Sequence, residues 1–87
     1  MIVTLLTRTD CETCGQAKEI LTRLAGEIDF ELDLIDLDHP TGQALATRHG
    51  ILFAPGVLID GRLATYGRPS ERRLRRELTR AAANGER

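Results

Sequence analysis

The chain has 87 residues, 41% hydrophobic and 29% charged, with 12 basic and 13 acidic side chains and three aromatic ones, Phe30, Phe53 and Tyr66. A chain of this length is expected to form one domain, residues 1–87, that buries about 60–65% of its unfolded surface around a core of Leu, Ile, Val and Ala. A net charge near zero excludes a global field that would draw nucleic acid or an anionic membrane.

The opening run "MIVTLL" has no basic residues before it and is too short for a signal peptide or a membrane span, so a cytoplasmic protein is expected. Its β-branched members predict a buried strand that ends at the polar "TRTD". From Glu12 to about Ala25 the residues Ala17, Ile20, Leu21 and Leu24 recur at three- and four-residue steps, which predicts a helix closed by Gly26. "DFELDLIDLD" alternates, with Phe30, Leu32, Leu34 and Leu37 set against Glu31, Asp33 and Asp36, and a period of two predicts a strand. "HPTGQALATRHG" predicts a short helix that starts near Pro40 and ends at Gly50. Val57 to Ile59 then predict a strand, Asp60-Gly61 a tight turn, and Arg62 to Tyr66 its return. The last helix follows "PS", with Ser70 as N-cap, Glu71 just inside, and Leu74, Leu78 and Ala81 as the buried stripe. The tail "NGER" is expected to fray. There is no internal repeat or linker. The order β-α-β-α-β-β-α predicts a four-stranded mixed sheet, its first two strands parallel, with helices on both faces.

The only two cysteines, Cys11 and Cys14, fall at the turn into the first helix. Two thiols in a reducing compartment favour metal or redox chemistry over a structural staple. Their spacing lets the sulfurs meet in a small disulfide ring, and the unpaired amides and positive dipole end of the helix favour a thiolate at Cys11. Cys11 is then the exposed nucleophile, and Cys14 the shielded thiol that resolves a mixed disulfide. A zinc site needs two further ligands, from His39, His49 or nearby carboxylates, and these histidines, ten positions apart, do not match a zinc-finger pair. His49 has a plainer role at the end of the second helix. A metal-binding or metallochaperone module that uses both thiolates, and an adaptor that has lost its activity, stand beside the redox reading.

At these residues the chain resembles the thioredoxin-fold superfamily, and within it the small glutaredoxin-like thioredoxins. A strand leading into "CETC", a βαβ unit, "FAPGVLIDG", and a final helix after "YGRPS" match in order, from Ile2 to Ala82. The resemblance implies an α/β thioredoxin-like fold and a thiol-disulfide oxidoreductase. It further implies that Pro55 is cis and faces the dithiol, so that the backbone of Ala54 pairs with an extended substrate. Arg8 and Thr9 stand where glutaredoxins hold glutathione, and Gly67 lies in the turn before the last helix, although that turn lacks the family's Gly-Gly and Ser-Asp pair and "FAP" replaces Thr-Val-Pro. Arg8 also reads as an ordinary solvated charge. Asp10 and Glu12-Thr13 depart from thioredoxin's "WCGPC"; the added acids oppose a thiolate at Cys11, and Arg8 and Lys18 offset them. From Gly50 onward the chain is similar to the group called redox-active disulfide proteins. No tightly bound cofactor is implied. Glutathione is a candidate co-substrate, and electrons are expected from glutathione or a flavin-dependent reductase. Disulfide-containing proteins are the implied substrates.

The arginines of "RPSERRLRRELTR" are interleaved with Glu71 and Glu77, without aromatic residues for base stacking, and read as a solvated, salt-bridged helix face. Asp33, Asp36 and Asp38 likewise read as solvated positions. Neither nucleic acid nor a membrane is expected as a partner. A scarcity of apolar surface residues is taken to favour a monomer.

Overall fold

The computed structural model describes residues 1–84. Its elements are β1 (Ile2–Thr7), α1 (Glu12–Leu24), β2 (Glu31–Asp36), α2 (Pro40–His49), β3 (Gly56–Ile59), β4 (Arg62–Tyr66) and α3 (Glu71–Asn84). Apart from Asn84, which closes α3, the tail expected to fray lies outside the described residues. The four strands form one sheet in the order β2-β1-β3-β4. β1 runs parallel to β2 and antiparallel to β3, and β4 returns antiparallel to β3. This is the α/β arrangement expected of a thioredoxin-like fold.

β1 and β3 are the central strands and carry buried apolar residues on both faces. Val3, Leu5, Val57 and Ile59 point to one face and pack under Ala17, Leu21 and Leu24 of α1 and Leu74, Leu78 and Ala81 of α3. Leu6 and Leu58 point to the other, where Leu37, Ile51 and the half-buried Leu45 and Ala46 complete a smaller cluster beside α2. α2 comes so close to the end of β2 that a Cβ on Gly42 would collide with the Asp36 carbonyl. Gly50, in the left-handed region at φ 68°, ends α2 as expected.

Two expectations are corrected. The alternation through β2 does not put its leucines on a single buried face. Leu34 is exposed, while Ile35 and Leu37 belong to the α2 cluster. β2 is an edge strand with one neighbour, so it is only partly covered, and a sheet covered on both sides needs apolar residues on both. Nor are apolar surface residues scarce: Leu52 is 83% and Phe53 53% accessible, and Ile2, Leu34, Leu63 and Tyr66 are also exposed. The premise offered for a monomer therefore fails. No helix among the described residues is long and apolar enough to cross a membrane.

Candidate functional site

β1 ends at Thr7, and the chain turns through Arg8, Thr9 and Asp10 into α1. Asp10 takes φ 58°, in the left-handed region, where a short polar side chain is tolerated better than a bulky one. Cys11 follows in extended geometry and is the N-cap of α1. Its Sγ accepts the Cys14 N–H at 3.2 Å, and its carbonyl accepts the Gly15 N–H at 3.2 Å. Cys11 and Cys14 are joined as a disulfide across a Cα–Cα distance of 5.2 Å. Cys14 is 3% accessible and faces the core, whereas Cys11 is half-buried at the surface. A negative charge that forms on Cys11 would therefore meet an amide hydrogen and the helix N-terminus, and one on Cys14 would meet apolar side chains.

Thr13 is a residue that the sequence did not single out. Its hydroxyl lies 3.5 Å from Cys11 Sγ. A disulfide sulfur has no hydrogen, so the hydroxyl is the donor in this state. Threonine inside a C-x-x-C pair in the first helical turn is the signal from which this contact is readable, because position i+2 there comes back over the cap.

A shallow depression over the sulfurs is lined by the cationic Arg8 and Lys18 and by the anionic Asp10 and Glu12. Arg8 Nη2 is 3.3 Å from Asp38 Oδ1, an exposed pair that ties the β1–α1 turn to the β2–α2 turn. Arg8 thus lines the depression but already has a carboxylate partner. Thr9 is exposed in the same turn.

The register of the sheet brings the other candidates to the same end. Leu6 pairs with Gly56, and Gly56 with Tyr66, so the turn that carries Cys11, the loop before β3 and the turn after β4 all leave the sheet at one end. The Ala54–Pro55 peptide is cis, and the Pro55 side chain is buried. The Pro55 carbonyl accepts the Gly67 N–H at 2.8 Å, and Gly67 has φ 91°, which only glycine adopts freely. Phe53 packs edge-on against Tyr66, with ring centroids 5.4 Å apart and an interplanar angle of 68°.

Both histidines have plain structural positions. The Nδ1 of His39 accepts the Thr41 N–H at 3.2 Å and caps α2, and His49 lies in the last turn of that helix. Among the described residues no group of three or more His, Cys, Asp and Glu side chains converges as a metal site. The strongest ion pairs lie away from the sulfurs. Glu71 accepts from Arg23 at 2.6 Å, and this bond, with the Arg23 and Arg75 charges, holds the Glu71 carboxyl below the usual carboxylate range. Arg75 also reaches Glu27 at 2.8 Å, so α1, the turn after it and α3 share one surface network.

Against known families, residues 2–79 match the model of the glutaredoxin-like domain (DUF836). Uncharacterized proteins of Mycobacterium bovis and Mycobacterium tuberculosis are 38% identical to the chain over 82 residues, covering 91% of it and 84% of their own length. Among solved structures, a mutant thioredoxin from Halobacterium salinarum superposes with a TM-score of 0.74 at 22% identity, over 93% of this chain and 74% of that one. Thioredoxin 1 from Thermosipho africanus superposes with a TM-score of 0.72 at 14% identity over the whole of both chains. These two likenesses are to the fold.

Proposed function

We propose, since the chain belongs to the glutaredoxin-like domain family, that it is a thiol-disulfide oxidoreductase working through Cys11 and Cys14. The observation that carries this reading is the placement of the pair: a Cys11 sulfur at the helix N-cap with an amide donor, and a buried Cys14 within bonding reach of it. In the reduced protein the Cys11 thiolate attacks one sulfur of a substrate disulfide. The new S–S bond forms as the old one breaks, and the departing sulfur takes up a proton as a thiol. Cys14 then loses its proton and attacks Cys11 Sγ, which releases the second substrate thiol and leaves the Cys11–Cys14 disulfide. Two electrons have passed to the substrate, and an external thiol or a flavin-dependent reductase returns them.

The roles of the surrounding residues follow from position. Pro55 offers neither an amide hydrogen nor a metal ligand, and the Ala54 backbone next to it is our candidate partner for an extended substrate. Gly67 pins that loop through the Pro55 carbonyl. Glutathione as co-substrate is a second reading, supported by the place of Arg8 beside the depression; it predicts that Arg8→Ala weakens glutathione use, and equal rates would end it. The metallochaperone alternative has only the two thiolates to offer. A cytoplasmic location, with its reducing poise, suits the chemistry.

The test is an equilibrium titration of metal-stripped protein in glutathione redox buffers, with free thiols trapped and intact masses read. A single two-electron transition to the Cys11–Cys14 disulfide is expected. A lasting glutathione adduct on Cys11 would favour the glutathione-linked version. Two thiols that never pair would defeat the oxidoreductase reading, and metal at about one equivalent in protein not stripped would then point to the metallochaperone.

A further inference from the structure

Resting on the reading of Cys11 and Cys14 as an exchanging dithiol, we propose that Asp38 is a positioning residue that sets substrate choice. By holding the Arg8 guanidinium it withholds a cation from the depression over the sulfurs, and so disfavours small disulfides that carry carboxylates. Arg8 lines that depression, whereas Asp38 stands outside it. The carboxylate meets the site through Arg8, whose Nη2 lies 3.3 Å from Asp38 Oδ1.

The backbone brings the two residues together. β1 and β2 run parallel in a register that ends with Thr7 beside Asp36. One further bond continues it, from the Leu37 N–H to the Thr7 carbonyl at 2.8 Å. Arg8 and Asp38 are the next residues along each chain segment, so they leave the sheet side by side. The turn around Asp38 is fastened: its N–H donates to Asp36 Oδ1 at 2.7 Å, its carbonyl accepts from Gln43 Nε2 at 3.4 Å, and Leu37 before it is buried. Both side chains of the pair are exposed. Aspartate is short and has few rotamers, whereas arginine is long and has many. The carboxylate is thus the fixed partner, and the guanidinium is the one with a choice of position.

That choice matters because few charges line the depression. Arg8 and Lys18 stand there against Asp10 and Glu12. While Arg8 is neutralised from outside, Lys18 alone opposes the two carboxylates; once Arg8 is released, the signs balance. A carboxylate on an entering disulfide is what a guanidinium recognises, through charge-assisted hydrogen bonds, and Asp38 is a competitor of the same chemistry already in place. An uncharged disulfide is indifferent to where Arg8 points. The competition lowers apparent affinity by the fraction of time Arg8 spends on Asp38, about two- to fivefold for an exposed ion pair.

The test follows oxidation of the reduced protein by an excess of either of two disulfides. Glutathione disulfide is anionic, and bis(hydroxyethyl) disulfide is uncharged. The ionic strength is about 10 mM, where the Debye length is about 30 Å. With each, the Cys11 thiolate attacks a substrate sulfur and Cys14 then attacks Cys11 Sγ; the protein gives up two electrons, and the substrate leaves as two thiols. The ratio of the two second-order rate constants on one preparation cancels any change in Cys11 reactivity or in folded protein. Asp38→Asn is expected to raise the ratio of glutathione disulfide to the uncharged disulfide by about two- to fivefold. Arg8→Ala is expected to lower it, and the double variant to match Arg8→Ala alone. A ratio that either single variant leaves unchanged overturns the proposal. So does a gain from Asp38→Asn in the Arg8→Ala background, which would assign the effect to the Asp38 charge itself. Inertness toward both disulfides is a distinct result: it removes the oxidoreductase reading, and the role of Asp38 with it.

Discussion

Against one face of the sheet, α1 and α3 lay six buried side chains, Ala17, Leu21, Leu24, Leu74, Leu78 and Ala81, over four from β1 and β3. Against the other, α2 lays none, because its one buried residue is Gly42, and Leu45 and Ala46 are only half-buried beside Leu6 and Leu58. The first helix pair is held by apolar burial. α2 is held by close approach to the Asp36 carbonyl, by the His39 and Gly50 caps and by a thin cluster. The difference bears on the site. Cys11 and Cys14 ride on the strongly anchored α1, while the Leu52–Pro55 loop rests on the thinner side through Ile51 and Ala54.

Substitutions on both faces and at the dithiol test that contrast. The largest effect is expected from Leu78→Ala, which opens a cavity in the α1–α3 face and should lower the unfolding free energy by about 2–5 kcal/mol in a urea melt. A loss no greater than that of Leu45→Ala under α2 would erase the contrast. Gly42→Ala comes next, at about 1–3 kcal/mol, since its Cβ meets backbone and α2 must move off the sheet. Neutrality there would mean that α2 shifts without cost. Thr13→Val keeps the shape of the side chain and removes the hydroxyl from Cys11. Alkylation of the reduced protein at neutral pH should slow by about two- to tenfold, in line with one lost hydrogen bond, and Thr13→Ser should restore it. An unchanged rate would show that the Cys14 amide and the helix terminus suffice alone.

The smallest effect belongs to the Glu71 network on the surface of the strong face. The Arg23 hydrogen bond lowers the Glu71 carboxyl from its ordinary value, so its contribution is fully present above the unfolded carboxylate pKa of about 4.3 and fades as pH falls through the lowered folded value. Glu71→Gln should flatten that acid limb slightly and leave neutral stability almost unchanged, because the pair is solvent-screened. An acid limb identical in both proteins would remove Glu71 from the acid response.

Much of this was open to reading along the chain. Periodicity set out the seven elements, Ser70 accepts the Arg73 N–H at 3.2 Å as the expected cap, and Asp60-Gly61 makes the turn between β3 and β4. Such features depend on neighbours within a few residues, and local chemistry is written locally. The pairing of Cys11 with Cys14 and the cis peptide before Pro55 were legible. The site was not legible at Asp38, whose contact with Arg8 spans 30 positions, nor at the Phe53–Tyr66 pair, which depends on the β3–β4 register. The β2 leucines were misjudged because alternation reports two faces without saying what covers either.

The sequence by itself determined the order of helices and strands, the dithiol at the mouth of α1 and the apolar stripes that hold α1 and α3, since each follows from short-range backbone preference and side-chain period. Only the tertiary structure decided which carboxylate meets Arg8, that α2 must carry glycine where it crosses the end of β2, and that Leu52, Phe53 and Tyr66 stay outside the core at the dithiol end. Those outcomes depend on where distant segments come to rest, and strand register, set by the packing of the whole sheet, is what places them.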